Sequence, residues 1–277
     1  MVGPSQFEER TPSMPQSLIA AMTPTRLSTY ESEWARLAGV SPANVSRPAV
    51  AALYVWQVSL SSAWYETLSY TEAIIRNAVD SSLRDWNTRQ GRSPDWLDDA
   101  ASPLASLVNR AAGQATHRAT QAGQRRGPNH PRHGAPITFD DRVSQLDFGN
   151  IVHLFPQDSL TNRAQLSSGF TARENLWRFG LASAFPRLNP SLTKSWQGQI
   201  PAGLPAAVEN AYGIGMALER LRRLRNRIGH HEQTFQVHHT GRLKDVSILL
   251  RGIDNGPADG VKKLDRVRRT LAMMPQP

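Results

Sequence analysis

The sequence predicts an all-α protein organised as a helical bundle. Apolar residues recur at helical spacing from Ala49 to about Trp86 without an interrupting proline or glycine, which predicts one long helix or two nearly collinear ones. A second apolar stripe runs from Ala206 to His231. Strand-like runs are scarce, and residues 235–239 and 246–250 predict at most a small β-hairpin or a loop near the C-terminus. We therefore expect a mainly helical chain.

The remaining segments predict shorter elements around these two helices. Residues 1–16 are polar and proline-bearing and predict a flexible arm, so a single helical domain is expected over residues 17–277. Residues 113–136 are polar, irregular and basic, which predicts a disordered-looking insertion that can touch phosphate or simply be solvated. One or two extra N-terminal helices are expected near Pro24. Further helices are expected through Leu104 and Ala111, from Asp140 or Asp141 to Pro156, over residues 175–185 and over residues 259–274.

Composition restricts the classes of function. The net charge of +9 favours a polyanionic partner, most simply nucleic acid, although a basic protein without such a partner is the plain alternative. The absence of cysteine excludes disulfides, thiolate catalysis and cysteine-type zinc sites. No apolar run reaches about 18 residues and the first ten residues are polar, so neither a membrane span nor a signal peptide is expected, and the cytoplasm is the predicted compartment.

The end of the second long helix carries an unusual set of polar residues. On an ideal helix Arg225 projects within the apolar arc, about 40° from Leu221, although a guanidinium cannot lose its charge. A carboxylate partner or a function is therefore expected for it. Asn226 and His230 lie four residues apart on the outer side, and the pattern stops at Gly229.

Glu72 is the candidate carboxylate partner, because it lies on the apolar stripe of the first long helix. Two partners are open: Arg76, one turn later on the same helix, or Arg225 across the core. A buried ion pair is weak evidence for stability, since desolvation can exceed the Coulombic gain. It is better evidence that a side chain is being positioned.

The spacing Arg225-x-x-x-x-His230, with Asn226 beside the arginine, resembles the R-x4-6-H motif of the HEPN superfamily. Four segments in order together resemble its Abi-like abortive-infection branch: Tyr54–Gln57, Leu68–Ala78, Val143–Leu154 and Leu224–Glu232. The similarity covers most of residues 17–235. Two features depart from the pattern, namely Gln57 where asparagine is expected and the long basic stretch 113–136.

The resemblance implies a metal-independent endoribonuclease of a bacterial anti-phage or toxin system, active as a homodimer with the Arg–His segments of two protomers facing each other. RNA supplies the nucleophile through its 2′-hydroxyl. His230 suits proton transfer near neutral pH, and Arg225 suits stabilisation of the phosphorane charge. Asn226 would orient the imidazole or the phosphate. The expected products are a 2′,3′-cyclic phosphate and a 5′-hydroxyl.

Further residues are predicted around this catalytic set. The supporting residues are His231, Glu72, Arg76 and Asn77, and the RNA-binding residues are Arg222, Arg223 and Arg227, whose alternative is a solvated helix face. His231 lies near the edge of the apolar arc, which favours a hydrogen-bonded structural role. The pairs 230–231 and 238–239 invite a metal site, but they lack an acidic cluster, so neither metal nor cofactor is predicted.

On an ideal helix Arg225 and His230 point about 140° apart, so either Gly229 bends the backbone or the two residues serve different phosphates across a dimer. Three alternatives to the nuclease remain open: a catalytically silent RNA-binding or regulatory module, a helical DNA-binding protein, and a helical dimer in which Arg225 and Glu72 are core architecture. RNA is the predicted partner, with an antitoxin or a phage-derived trigger as a possible regulator.

Overall fold

Helices account for most of the chain in the computed structural model, which describes residues 20–158, 166 and 168–277. The helices are α1 Pro24–Ala38, α2 Arg47–Arg89, α3 Leu104–Gln124, α4 Phe139–Ser144, α5 Phe148–Val152, α6 Ala172–Phe179, α7 Pro190–Thr193, α8 Ala206–Gly229, α9 His239–Ile253, α10 Asn255–Leu264 and α11 Val267–Ala272. Within the described ranges no strand occurs, which confirms the all-α class. The flexible arm predicted for residues 1–16 lies outside the described residues.

The described chain forms two compact units. Unit 1 contains the described residues up to Thr67, residues 227–237 and the chain from Asp265 onward. Unit 2 contains residues 68–226 and 238–264. The single domain expected over residues 17–277 stays a prediction. None of the helices in the described part of the chain is long and apolar enough to cross a bilayer.

Aromatic side chains hold unit 1 together. The ring of Phe235 lies 5.3 Å from that of Tyr30 on α1 and stacks at 6.4 Å on Trp56 of α2. The indole nitrogen of Trp56 donates to the carbonyl of Thr270 over 2.7 Å. The ring contacts join α1, α2 and the segment after α8, and the hydrogen bond adds α11, so the turn that follows α8 packs against these helices.

Unit 2 is built on the apolar stripes that the sequence predicts. Leu68, Ile75 and Leu83 of α2 are buried, as are Leu218 and Leu221 of α8. Of the two alternatives for residues 49–86, the single long helix is confirmed, since α2 runs from Arg47 to Arg89. A methyl group added at Gly215 of α8 would collide with the backbone carbonyl of Pro156, so glycine permits this close approach.

The irregular insertion predicted for residues 113–136 is wrong for residues 113–124, which are helical, whereas residues 125–136 form turns and irregular backbone. Helix α3 continues to Gln124, because Ala112, Ala115 and Ala119 form a buried stripe that the polar composition concealed. The turn that follows is fastened by Asp141, which accepts hydrogen bonds from Arg126 at 2.9 Å and from Arg132 at 2.6 and 2.7 Å. Part of the positive charge of this segment is therefore neutralised by internal ion pairs.

Several predicted boundaries also need correction. The hairpin expected near the C-terminus is wrong, since residues 239–253 form α9. The helix expected from Asp140 or Asp141 to Pro156 is two helices, α4 capped by Thr138 and α5 capped by Asp147. The terminal helix expected over 259–274 is likewise divided into α10 and α11. The side-chain caps at Thr138 and Asp147 thus start two separate helices where apolar periodicity alone predicts one.

Candidate functional site

The last turn of α8 closes in a Schellman motif, in which two backbone amides return to helix carbonyls. The amide of Glu232 donates to the carbonyl of Arg227 at 2.8 Å, and that of His231 to the carbonyl of Ile228 at 3.0 Å. This motif requires a left-handed residue, and His231 takes that conformation with a φ of 54°. Gly229, the residue best suited to it, instead stays helical.

The two histidines after α8 are both exposed. The position expected for the His231 side chain, near the edge of the apolar arc, is therefore wrong, and its hydrogen-bonded structural role stays a prediction. The backbone of His231 turns the chain, and its carbonyl oxygen accepts a hydrogen bond from Nη2 of Arg26 at 3.3 Å. His230 lies between the end of the helix and this turn, where its imidazole is accessible to solvent.

A buried polar contact in unit 1 anchors the chain just beyond the turn. The side chain of Gln57, which is 3% exposed, donates to the hydroxyl of Thr234 at 3.0 Å and to that of Ser61 at 3.1 Å. Its carbonyl oxygen accepts from the amide of Thr234 at 3.3 Å. Sequence reasoning noted Gln57 as a departure from a family pattern and missed this positioning role. The available signal was a polar residue on the apolar stripe between Leu53 and Leu60.

In unit 2, the carboxylate of Glu72 contacts both of the arginines considered as partners. Arg76 lies 2.6 Å away and Arg225 lies 3.7 Å away. The closer pair is therefore the one within α2, and the contact with Arg225 is longer. The Glu72 side chain is only 12% exposed, whereas that of Arg225 is 43% exposed. The side chain of Arg225 thus reaches a partly buried carboxylate while keeping access to solvent.

The inward orientation expected for Arg225 is wrong. Leu221 and Leu224 are buried, and Asn226, expected on the outer face, is partly buried instead. The buried stripe is narrower than the ideal wheel indicates, and a long guanidinium at its edge extends to water. Asn77, predicted as a supporting residue, is exposed one residue beyond Arg76.

The basic residues of α8 in unit 2 are largely compensated by carboxylates. Glu219 accepts hydrogen bonds from Arg222 at 2.6 and 2.8 Å and from Arg223 at 2.8 Å. The hydrogen bond from Arg222 lowers the pKa of the Glu219 carboxyl, which stays ionised. Arg220 is held by Asp245 at 2.6 and 2.9 Å. Arg222 and Arg223 therefore present less free positive charge than their sequence density indicates.

The chemistry offered by these residues is proton transfer and cationic stabilisation. No cluster of three histidine, aspartate or glutamate side chains suited to a metal ion occurs within the described ranges. Of the paired histidines, His239 is buried at the start of α9, whereas His238 is exposed.

Comparison of the chain with protein-family models, with curated proteins and with solved structures gives no match. The resemblance to the Abi-like HEPN proteins therefore rests on the residues of this sequence.

Proposed function

We propose that the protein is a metal-independent endoribonuclease of the HEPN type, which serves a bacterial abortive-infection or toxin system. The observation that carries this proposal is the exposure of both ends of the Arg–His motif. Arg225 belongs to a largely core-facing helix and still leaves 43% of its side chain exposed, and the imidazole of His230 is exposed too. Side chains that act on RNA must be accessible in this way.

The proposed reaction uses the nucleophile that RNA carries. The 2′-oxygen attacks the adjacent phosphorus, the bond from phosphorus to the 5′-oxygen breaks, and a 2′,3′-cyclic phosphate and a 5′-hydroxyl are released. Neutral His230 accepts the proton of the 2′-hydroxyl. Arg225 stabilises the phosphorane, because its guanidinium stays charged and matches two phosphate oxygens.

A second proton transfer explains why a homodimer is proposed. The departing 5′-oxygen needs a proton at the moment when His230 has just accepted one, so one histidine cannot serve both steps without an intervening exchange. A protonated imidazole from a second protomer would supply it. Within this proposal the protein acts in the cytoplasm on cellular RNA, under the control of an antitoxin or a phage-derived trigger.

The test is cleavage of total bacterial RNA by purified protein in EDTA. Wild type should cleave, His230→Ala should not, and His117→Ala, which removes an exposed histidine on α3, should cleave like wild type. Thermal melting of all three should agree if only chemistry is changed. Bound but intact RNA with every variant would favour the silent RNA-binding module, and equal cleavage by wild type and His230→Ala would reject the assignment of His230.

A further inference from the structure

An open groove in unit 1 lies against the turn that follows α8. It has a volume of about 430 Å³ and is lined by Arg26, Tyr30, Arg227, His231, Glu232 and Gln233, among others. This volume lies within the range of small-ligand sites. Burial raises the pKa of the Tyr30 phenol to about 12, so this side chain of the groove is uncharged at neutral pH.

The two arginines of the groove are not neutralised by carboxylates. Arg26 donates to the carbonyl of His231 at 3.3 Å, and Arg227 donates to the carbonyl of Gln233 at 3.4 Å. In the part of the chain that the structure describes, neither arginine forms an ion pair. This includes the exposed Glu232, which also lines the groove but pairs with neither of them. A guanidinium that donates one hydrogen bond to a carbonyl keeps its full charge, and its other N–H groups can bind an anion.

A second observation in the groove also indicates a ligand. The side-chain oxygen Oε1 of Gln233 is buried and accepts no hydrogen bond from any residue that the structure describes. Leaving a buried acceptor unsatisfied is costly, and most such atoms in folded proteins have a partner. Gln233 lines the cationic groove, so rotation of its side chain toward a bound molecule would supply the missing partner.

The strained backbone of His231 belongs to the same wall. A non-glycine residue in the left-handed region costs free energy, and such residues concentrate at binding and catalytic sites. Here the left-handed turn places the His231 carbonyl on Arg26 and closes the helix at Arg227. It thereby holds both arginines of the groove against one segment.

We propose that this groove binds one nucleotide of single-stranded RNA next to the phosphate that is cleaved. Arg26 and Arg227 bind the phosphodiester, and Gln233 accepts a hydrogen bond from the 2′-hydroxyl. The position follows from the chain, because His230 directly precedes the left-handed residue of the groove wall. This inference rests on the proposed function, and it adds Arg26 and Gln233 to the residues that recognise RNA.

The first test measures binding of a short fluorescein-labelled RNA at several salt concentrations, in the His230→Ala background. Arg26→Gln and Arg227→Gln should each weaken binding about tenfold. Each should also reduce the slope of log K against log salt by about 0.7, the contribution of one phosphate contact to a single strand. The matched control is Arg36→Gln, which removes an exposed arginine of α1 that pairs with Glu33, and it should change neither quantity.

Gln233→Met tests the sugar contact. It should abolish a preference for RNA over DNA of the same sequence while leaving the melting temperature unchanged or higher, because it removes an unsatisfied acceptor. A loss of stability with an unchanged RNA preference would mean that Gln233 is merely structural and would overturn its role.

The binding assay separates this inference from the proposed function. If wild type cleaves no RNA but Arg26 and Arg227 still set the salt dependence, the groove is an RNA site and the nuclease is not supported. If wild type cleaves, and both glutamine substitutions bind RNA like Arg36→Gln in the His230→Ala background and cleave RNA like Arg36→Gln when His230 is present, the groove is overturned while the nuclease stands. Absence of any RNA binding by wild type would overturn the groove as well.

Discussion

The amide of Glu232 donates to the carbonyl of Arg227 over 2.8 Å, and this bond closes α8 around a left-handed histidine. The helix thus ends where the chain presents His230 to solvent and turns into the segment held by Gln57. A glycine would make the same turn at lower cost, and one stands two residues earlier without serving it. The placement of His231 is therefore a feature that stability alone does not explain.

Substitution His231→Gly should stabilise the protein by about 0.5–1 kcal/mol. Relief of a left-handed non-glycine residue gains about 1–2 kcal/mol, and the greater freedom of glycine in the unfolded chain offsets part of it. Urea unfolding of the variant and wild type measures the difference. If the midpoint falls instead, the His231 side chain makes a stabilising contact that outweighs the strain.

Substitution Glu72→Gln should lower stability by roughly 1–2 kcal/mol, because it leaves Arg76 without its 2.6 Å ionic partner at a partly buried position. Under the nuclease proposal it should also lower the rate of RNA cleavage, since Arg225 loses its contact at 3.7 Å. The control is Asp259→Asn, at the exposed pair with Arg251, where the change should be small. Unchanged stability and cleavage would show that Glu72 positions neither arginine.

Acid should weaken the fold partly through Asp141. Hydrogen bonds from Arg132 and from the Thr138 backbone hold the pKa of this carboxyl well below its usual range. A depressed folded pKa contributes stability that is fully present above the unfolded value of about 3.9 and is lost as pH falls toward the folded value. The difference in unfolding free energy between wild type and Asp141→Asn should therefore be constant near neutral pH and shrink below about pH 4. A difference that stays constant down to pH 2 would contradict the depressed pKa.

Two glycines of α8 should respond in opposite directions to alanine. Gly215→Ala should destabilise by about 1–3 kcal/mol, because its new methyl group would overlap the carbonyl of Pro156. Gly229→Ala meets nothing within 4 Å and should be neutral or slightly stabilising. Thermal melting checks both, and a destabilising Gly229→Ala would show that this residue needs the conformational freedom of glycine.

The helical class and the two long helices follow from apolar periodicity, because stripes such as the one at Leu68 and Ile75 repeat over many turns. The extent of α3 does not follow, since its buried stripe consists of alanines in a polar segment that reads as disorder. The ends of α4 and α5 depend on capping by Thr138 and Asp147, which periodicity does not register.

The candidate site was predictable in part. The pairing of Glu72 with an arginine follows from two charges on apolar stripes, but an ideal helical wheel cannot show that Arg225 reaches water. Helices usually end with glycine in the left-handed conformation, so the sequence predicts that α8 ends at Gly229. In the structure His231 takes that conformation instead. The groove lined by Arg26 and Gln233 joins residues far apart in the chain, which no local pattern reveals.

The most direct test of the central claim is cleavage of one defined RNA that carries a single 2′-deoxy nucleotide at the mapped cleavage position. Wild-type protein in EDTA should cut the all-ribose strand, leave a 2′,3′-cyclic phosphate, and fail to cut at the deoxy position, while His230→Ala cuts neither strand. Cleavage at the deoxy position, or an all-ribose product that ends in a 3′-hydroxyl, would contradict attack by the 2′-hydroxyl and the role assigned to His230.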